Sequence, residues 1–246
     1  MTAGDPGDTI DTAGAAGGAA ADAIAGRGLV PLQAVVDLFG VLAYGELTAF
    51  SRLAGDADLA PTLTAKASLA RQAVTEFGHY ELIRGRLLEL GADPEAAMSP
   101  FVAAIDGFHE RTAPSDWLEG LVKAYVGDGI ASDFYREIAA MLDPNSQELV
   151  NRVLADSDHA AFVVTAVRAA IEEDPRVAGR LALWGRRLVG EALSQAQRVA
   201  ADRDALAALL VGTPDRPGAD LAEIARMLGR ITDSHTRRMA QLGLSA

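Results

Sequence analysis

From Leu29 almost to the C-terminus, apolar residues recur at spacings of three and four, the period of one helix face. Proline and glycine divide this pattern. Pro31 opens a first helix expected to end at Gly55, and Pro61 opens a second expected to end at Gly91. A third is expected from about Pro114 to Leu142. Asp143-Pro144 joins a capping side chain to a proline in the first turn, and it opens a fourth helix reaching Glu173. Asp174-Pro175 repeats the signal for a fifth, to about Val211. A Gly/Pro-rich turn at 212–218 precedes a last helix from Ala219 to Leu242, and no segment has the alternation of a strand. Residues 1–27 are small-sided and polar and are expected to be a disordered tail. The remaining 28–246 is expected to be one all-α domain: a four-helix core at 30–174 and two further helices at 175–242. The central helices are each about 40 Å long at about 1.5 Å per residue, the scale of a bundle. The stretch from Ala92 to Ala113 is too long for a hairpin turn, so the bundle is expected to contain one long crossover.

Half of the 246 residues are hydrophobic but only 5% are aromatic, a balance that suits close-packed helices. There is no cysteine, which excludes disulfides, thiolate nucleophiles and iron–sulfur clusters; any metal must be held by oxygen and imidazole nitrogen. No uncharged run approaches the roughly 18 residues that span a bilayer. The N-terminus lacks the basic start and apolar stretch of a signal peptide, so no membrane association and a cytoplasmic location are expected. Net charge is −12, which argues against a protein that coats nucleic acid generally. The charge is uneven: residues 1–174 carry −16 and the rest +4, with Lys66 and Lys123 the only lysines.

Glu46 lies on the apolar stripe of the first helix, with Phe39, Leu42, Ala43, Ala49, Phe50 and Leu53 as its helical neighbours. A carboxylate there needs a metal, a cationic partner or a proton, because burying it ionised and alone is costly. The second helix supplies Glu76-Phe-Gly-His79, an acid and an imidazole on one face, with Leu69, Ala73, Tyr80 and Ile83 on the same stripe. Gly78 costs about 1 kcal/mol against alanine in a helix interior, which points to close packing beside it. The arrangement recurs. Asp128 in the third helix has Leu121, Ala124, Tyr125, Ala131 and Tyr135 around it, and the fourth carries Asp156-Ser-Asp-His159. One carboxylate from each of two helices, plus carboxylate-x-x-His from each of two others, is the ligand pattern of di-iron and di-manganese bundles. The expected ligands are therefore Glu46, Glu76, His79, Asp128, Asp156 and His159. The short motif is weak by itself, since Asp106-Gly-Phe-His109 also fits, bracketed by Pro100 and Pro114; that pair is the runner-up. Asp158 and Asp133 are alternative acids, Asp133 being set beside Arg136 and Glu137 on a solvated side. The competing structural reading is a polar core satisfied by Arg71, Arg152 or tyrosines. Tyr80 and Tyr125 sit within a turn of the proposed ligands as candidate hydrogen-bonding partners; Tyr44 and Tyr135 lie near the same stripe, and ordinary aromatic packing competes for all four. Trp117 and Trp184 read as packing, and His235 beside Arg237 and Arg238 as surface.

Glu46, Glu76-Phe-Gly-His79, Tyr125-Val-Gly-Asp128-Gly and Asp156-x-x-His159 resemble bacterial ferritin-like proteins related to the tRNA 2-methylthio-N6-isopentenyladenosine hydroxylases, over residues 30–210. The resemblance implies a ferritin-like four-helix bundle and a non-haem di-iron centre that activates O2 and inserts an oxygen atom into the isopentenyl group of a modified adenosine in tRNA. It places Glu46, Glu76 and His79 on one iron and Asp128, Asp156 and His159 on the other, with Glu76 or Asp156 bridging and manganese as the alternative metal. Aspartates stand where glutamates are usual in the second half, and they reach less far. Electrons must come from an external donor, since the chain has no flavin or nicotinamide motif. The arginine-rich last helices are the candidate surface for tRNA, and homo-oligomerisation is left open. Two other readings stand beside the hydroxylase: a non-catalytic ferritin-like metal-binding, storage or peroxide-scavenging protein, and a metal-free helical interaction protein.

Overall fold

The computed structural model describes residues 30–155, 158–213, 216–217 and 219–246, without the side chains of 158, 159, 213, 216, 217 and 221. The expected tail at 1–27 lies outside these. The helices are α1 (Leu32–Asp56), α2 (Leu63–Glu89), α3 (Pro94–Met98), α4 (Val102–Arg111), α5 (Trp117–Val122), α6 (Asp128–Ala139), α7 (Pro144–Val153), α8 (Asp158–Glu173), α9 (Arg176–Asp202), α10 (Asp204–Val211) and α11 (Leu221–Gln241). A π-helical turn, Lys123–Gly127, joins α5 to α6.

The punctuation read from the sequence works through hydrogen bonds. Thr62 caps α2 by accepting from the Ala65 amide at 3.1 Å, and Asp143 caps α7 by accepting from the Ser146 amide at 3.1 Å. Asp220 and Glu223 form a reciprocal capping box on α11. α1 and α2 are joined through a short 3-10 turn at Ala57–Leu59 and pack along each other. α1 is the central element: Ala34, Leu38, Phe39, Leu42 and Ala43 are buried against Ile83 and Leu87 of α2, Ala97 of α3 and Leu209 of α10. It is long and apolar enough to cross a bilayer by length and composition, and in this fold more than half of that apolar stretch is covered by the rest of the chain. Leu121, Ile130, Val163, Val167, Leu181, Leu188 and Met239 form a second buried cluster, between α5, α6, α8, α9 and α11.

The long crossover is itself helical, built from α3, a 3-10 turn at Ser99–Phe101 and α4. Three expectations change. The fourth helix is two: α7 stops at Val153, turn residues follow at 154 and 155, and α8 starts at Asp158. The fifth breaks at Arg203, where the guanidinium grips buried Asp37 of α1, Nε to Oδ2 at 3.0 Å, and lies over the Phe101 ring. The turn at 212–218 contains a two-residue antiparallel ribbon, Gly212–Thr213 with Arg216–Pro217, where no strand was expected.

Many arginines of the last helices are spent on acids of the bundle. Arg180 binds Asp116 at 2.8 Å and Glu119 at 2.6 Å, Arg230 binds Glu137 at 2.6 Å, and Arg238 binds Asp133. Trp184, expected only to pack, also donates its indole N–H to the Glu119 carbonyl at 3.0 Å. His235, expected at the surface, is buried at 4% exposure, and neither ring nitrogen has a partner among the described residues. Its helix packs against α6, which takes this position out of solvent.

Two glycines give opposite expectations. A Cβ on Gly40 would sit 2.2 Å from the Ala97 carbonyl oxygen, so Gly40 is what lets α1 and α3 touch. Beside Gly78 nothing lies within 4 Å, and the close packing expected there is absent. In urea unfolding, Gly40→Ala should lower stability by about 2 kcal/mol through overpacking, and Gly78→Ala should raise it by about 1 kcal/mol through helix propensity. Asp37→Ala leaves Arg203 without its partner and should cost about 3 kcal/mol.

Candidate metal centre

α1 and α2 bring three of the expected ligands together. His79 Nδ1 lies 3.5 Å from Glu46 Oε2 and 3.4 Å from Glu76 Oε2, and one ligand atom from each of the three residues falls within 4.8 Å of the others. Ligand atoms around one ion at metal–ligand distances near 2.1 Å stand about 3.0–3.4 Å apart, so small rotations would close this set on an ion. Glu46 and Glu76 are buried, at 8% and 4% exposure. Gln72, one turn before Glu76, donates an amide hydrogen to Glu76 Oε1 and fixes that carboxylate's orientation.

The electrostatics are those of a site built for cations. Burial pushes the Glu46 carboxyl well above its ordinary range, with the Glu76 charge adding to it. Burial alone would depress the His79 imidazole, but its contacts with Glu46 and Glu76 outweigh that and carry it up to about 10. Glu76 is penalised by burial, yet His79, Glu46 and Gln72 together bring it below its ordinary value. In the absence of an ion, protons on His79 and Glu46 do the neutralising. A divalent ion would take their place, and the hard-oxygen and imidazole donor set suits iron or manganese.

Asp128 faces the same space from α6. It is exposed, but to a cavity of about 310 Å³ that Glu46 and Glu76 also line. Surrounding protein pushes its carboxyl up to about 7, with Glu76 adding and His79 opposing. Asp133, the alternative on the same helix, is held by Arg238 and Arg136, away from this group. The other two expected ligands are not placed: Asp156 and the side chains of Asp158 and His159 lie outside the described residues. Arg71 and Arg152 make no ion pair with the cluster among the described residues.

The tyrosines sort differently from expectation. Tyr125 turns away and donates its hydroxyl to Gln241 of α11, because the π turn rotates it off the ligand face. Tyr80 packs by its ring, 5.6 Å from Phe77. Tyr135 is the one at the centre. It lines the cavity, and burial together with the charges of Glu46 and Asp128 holds its hydroxyl protonated, well above the ordinary value. The runner-up pair separates: Asp106 accepts from the Tyr44 hydroxyl at 2.8 Å, while His109 lines the cavity with Nδ1 unpartnered. Sequence reasoning missed Gln72 and Lys123 as parts of the site, and set Tyr135 near the stripe without singling it out. Gln72 was legible as an i, i+4 partner of Glu76. Lys123 was not, because an α-helix puts positions five apart about 140° apart. The π turn shortens that angle and sets Lys123 and Asp128 on one cavity wall.

The metal-free protein should lose stability as pH rises. Asp128 is raised from 3.8 to about 7 and His79 from 6.5 to about 10, so the folded state binds more protons than the unfolded one across pH 4–10. Stability from these protons is complete below the unfolded values and is lost as pH passes the folded ones. Chelated protein should melt at lower temperature at pH 9 than at pH 6, and Mn2+ should raise the melting temperature more at pH 9, where fewer protons must be displaced.

Among solved structures the chain is similar to a protein from Synechococcus described as having aldehyde deformylating oxidase activity, at 21% identity and a TM-score of 0.65, covering 87% of this chain and 91% of that one. That likeness is one of fold. No curated protein matches in sequence. A model of actinomycete ferritin-like domains matches residues 32–213, most of the chain and all three residues of the α1–α2 cluster. This helical chain, with Glu46 and Glu76 buried beside His79, belongs to the family of ferritin-like domains of actinomycetes.

Proposed function

We propose that the protein is a ferritin-like di-metal oxidase that uses O2 on a slim apolar substrate held in the cavity beside Glu46 and Asp128. The observation that carries this reading is the coincidence of the two features: the buried carboxylates open onto a cavity of about 310 Å³ whose other walls are largely apolar, including Leu38, Val41, Ile105, Phe134 and Ile138. A storage or peroxide-scavenging protein has no use for such a chamber at its metal site. A tRNA-borne adenosine, the finer expectation from the sequence resemblance, is less favoured. The arginines counted toward a basic face are in good part committed to Asp37, Asp116, Glu119, Asp133 and Glu137.

Glu46, Glu76 and His79 would hold one ion, and Asp128 would serve the second with Asp156 and His159, whose positions rest on the sequence pattern. When bound, two iron ions supply the activation of O2, with two electrons per turnover from an external donor. The chain's own part is to position and to exclude. Gln72 keeps Glu76 oriented. The apolar wall keeps bulk water from the reacting carbon. Tyr135 presents a retained proton to the cavity beside Glu46 and Asp128.

Protein purified without chelator should contain about two equivalents of iron or manganese, and His79→Ala should lose the first of them by elemental analysis. Iron content unchanged in His79→Ala would overturn the site. Reduced, iron-loaded protein should consume O2 in the presence of an apolar substrate, and Tyr135→Phe should slow turnover while leaving metal content unchanged. Altered adenosine modification in the tRNA of a deletion strain would restore the tRNA reading in place of this one.

A further inference from the structure

The cavity is not uniform. On the side reached through Leu38, Ile105, Ile138, Val199 and Leu206 its walls are aliphatic. On the other side of Glu46 and Asp128, one to three turns along α1 and at the start of the π turn, it is lined by Arg52, Asp56, His109 and Lys123. Arg52 is exposed, so this polar end meets solvent.

Lys123 is a costly residue to keep here. It is buried to 7% exposure, and its ammonium donates to one backbone carbonyl, Thr112 O, at 2.7 Å. Its remaining contact of note is the face of the Phe108 ring, 5.7 Å from the centroid. No carboxylate lies within ion-pair distance of it among the described residues, and Arg52 likewise makes neither an ion pair nor a hydrogen bond among them. Burial brings the Lys123 ammonium down to about 8, which still leaves it charged at neutral pH, and takes His109 down to about 3, which leaves it neutral with Nδ1 free. Against two cations stands one acid, Asp56, whose own carboxyl is raised by burial. A buried ammonium with unused donors, one positive charge in excess and an aliphatic chamber beyond it together describe a receptor for an amphiphile with a single negative charge.

We propose that this end of the cavity anchors the carboxylate of a chain-like apolar molecule, on Lys123 and Arg52, so that its chain passes Asp128 and Glu46 toward Leu38 and Leu206. The anchor names the substrate class of the oxidase reading and rests on it for its catalytic meaning. A chain held in this way presents an internal carbon to the metal ligands, not its polar terminus. A single excess charge favours a carboxylate over a phosphate dianion, and Asp56 opposes the second negative charge.

Binding can be read without metal, which keeps a carboxylate from imitating the anchor by ligating an ion. Chelated protein is titrated by calorimetry with decanoate, 1-decanol and decyl phosphate, in parallel with Lys123→Met and Arg52→Met; circular dichroism checks the fold of each, and Arg52, being exposed, is the safe substitution. Decanoate should bind at least about tenfold more tightly than decanol, the scale of a charge-assisted hydrogen bond. Each variant should remove most of that preference while leaving decanol unchanged. Equal binding of decanoate and decanol, a preference for the phosphate, or a preference untouched by both substitutions would overturn the proposal. If His79→Ala leaves metal content unaltered while the decanoate preference holds, the oxidase reading falls and the anchor stands.

Discussion

Two glutamates that cannot remain charged together inside protein are the constraint around which this structure is arranged. Glu46 and Glu76 arrive from adjacent helices, and their mutual repulsion and desolvation must be answered by something positive. His79 answers part of it, which explains why the imidazole sits between both carboxylates rather than beside one. The rest of the fold supports that junction. α1 is buried over much of its length, so Glu46 has little freedom to swing to water, and Gln72 removes the remaining freedom of Glu76. A structural ion pair would have been neutral with one acid and one base. An excess of acids in a dry place is the signature of a cation site.

The fold and half of the centre were legible because both depend on the 3.6-residue period. Apolar spacing located α1 and α2 to within a residue or two, and the same period put Glu46, Glu76 and His79 on facing stripes. Legibility failed where the backbone departs from that period. The fourth helix reads as continuous across Ala155, but α7 ends at Val153 and a turn follows at 154 and 155. Tyr125 and Lys123 depart from that period for a similar reason: both lie in the π turn, which turns the tyrosine toward α11 and the lysine toward the cavity. Gly78 misled differently. Glycine in a helix reports a cost, and close packing is only one reason to bear it; here the neighbourhood is open.

The distribution of arginine carries a related lesson. Counted along the chain, the C-terminal third is basic; folded, its guanidiniums reach back to acids of the first two thirds. Arg203 to Asp37 and Arg180 to Asp116 and Glu119 join parts of the chain far apart in sequence. The charge asymmetry is thus partly an internal adhesive that fastens α9 and α11 onto the bundle. Arg203 has a further effect, since its hold on Asp37 sets the bend at which α10 folds over α1 and closes Leu206 and Leu210 upon the aliphatic side of the chamber.

The π turn stores a surplus residue in the wall of the chamber, and such a surplus can be lost in one event. Removing a single amino acid from Lys123–Gly127 would restore ordinary winding and swing everything upstream by about 100° relative to Asp128. Asp128 would stay while the lysine left, exchanged for a neighbour with a different character. Length variation at this point would therefore change the cavity wall without altering Glu46, Glu76, His79 or Asp128.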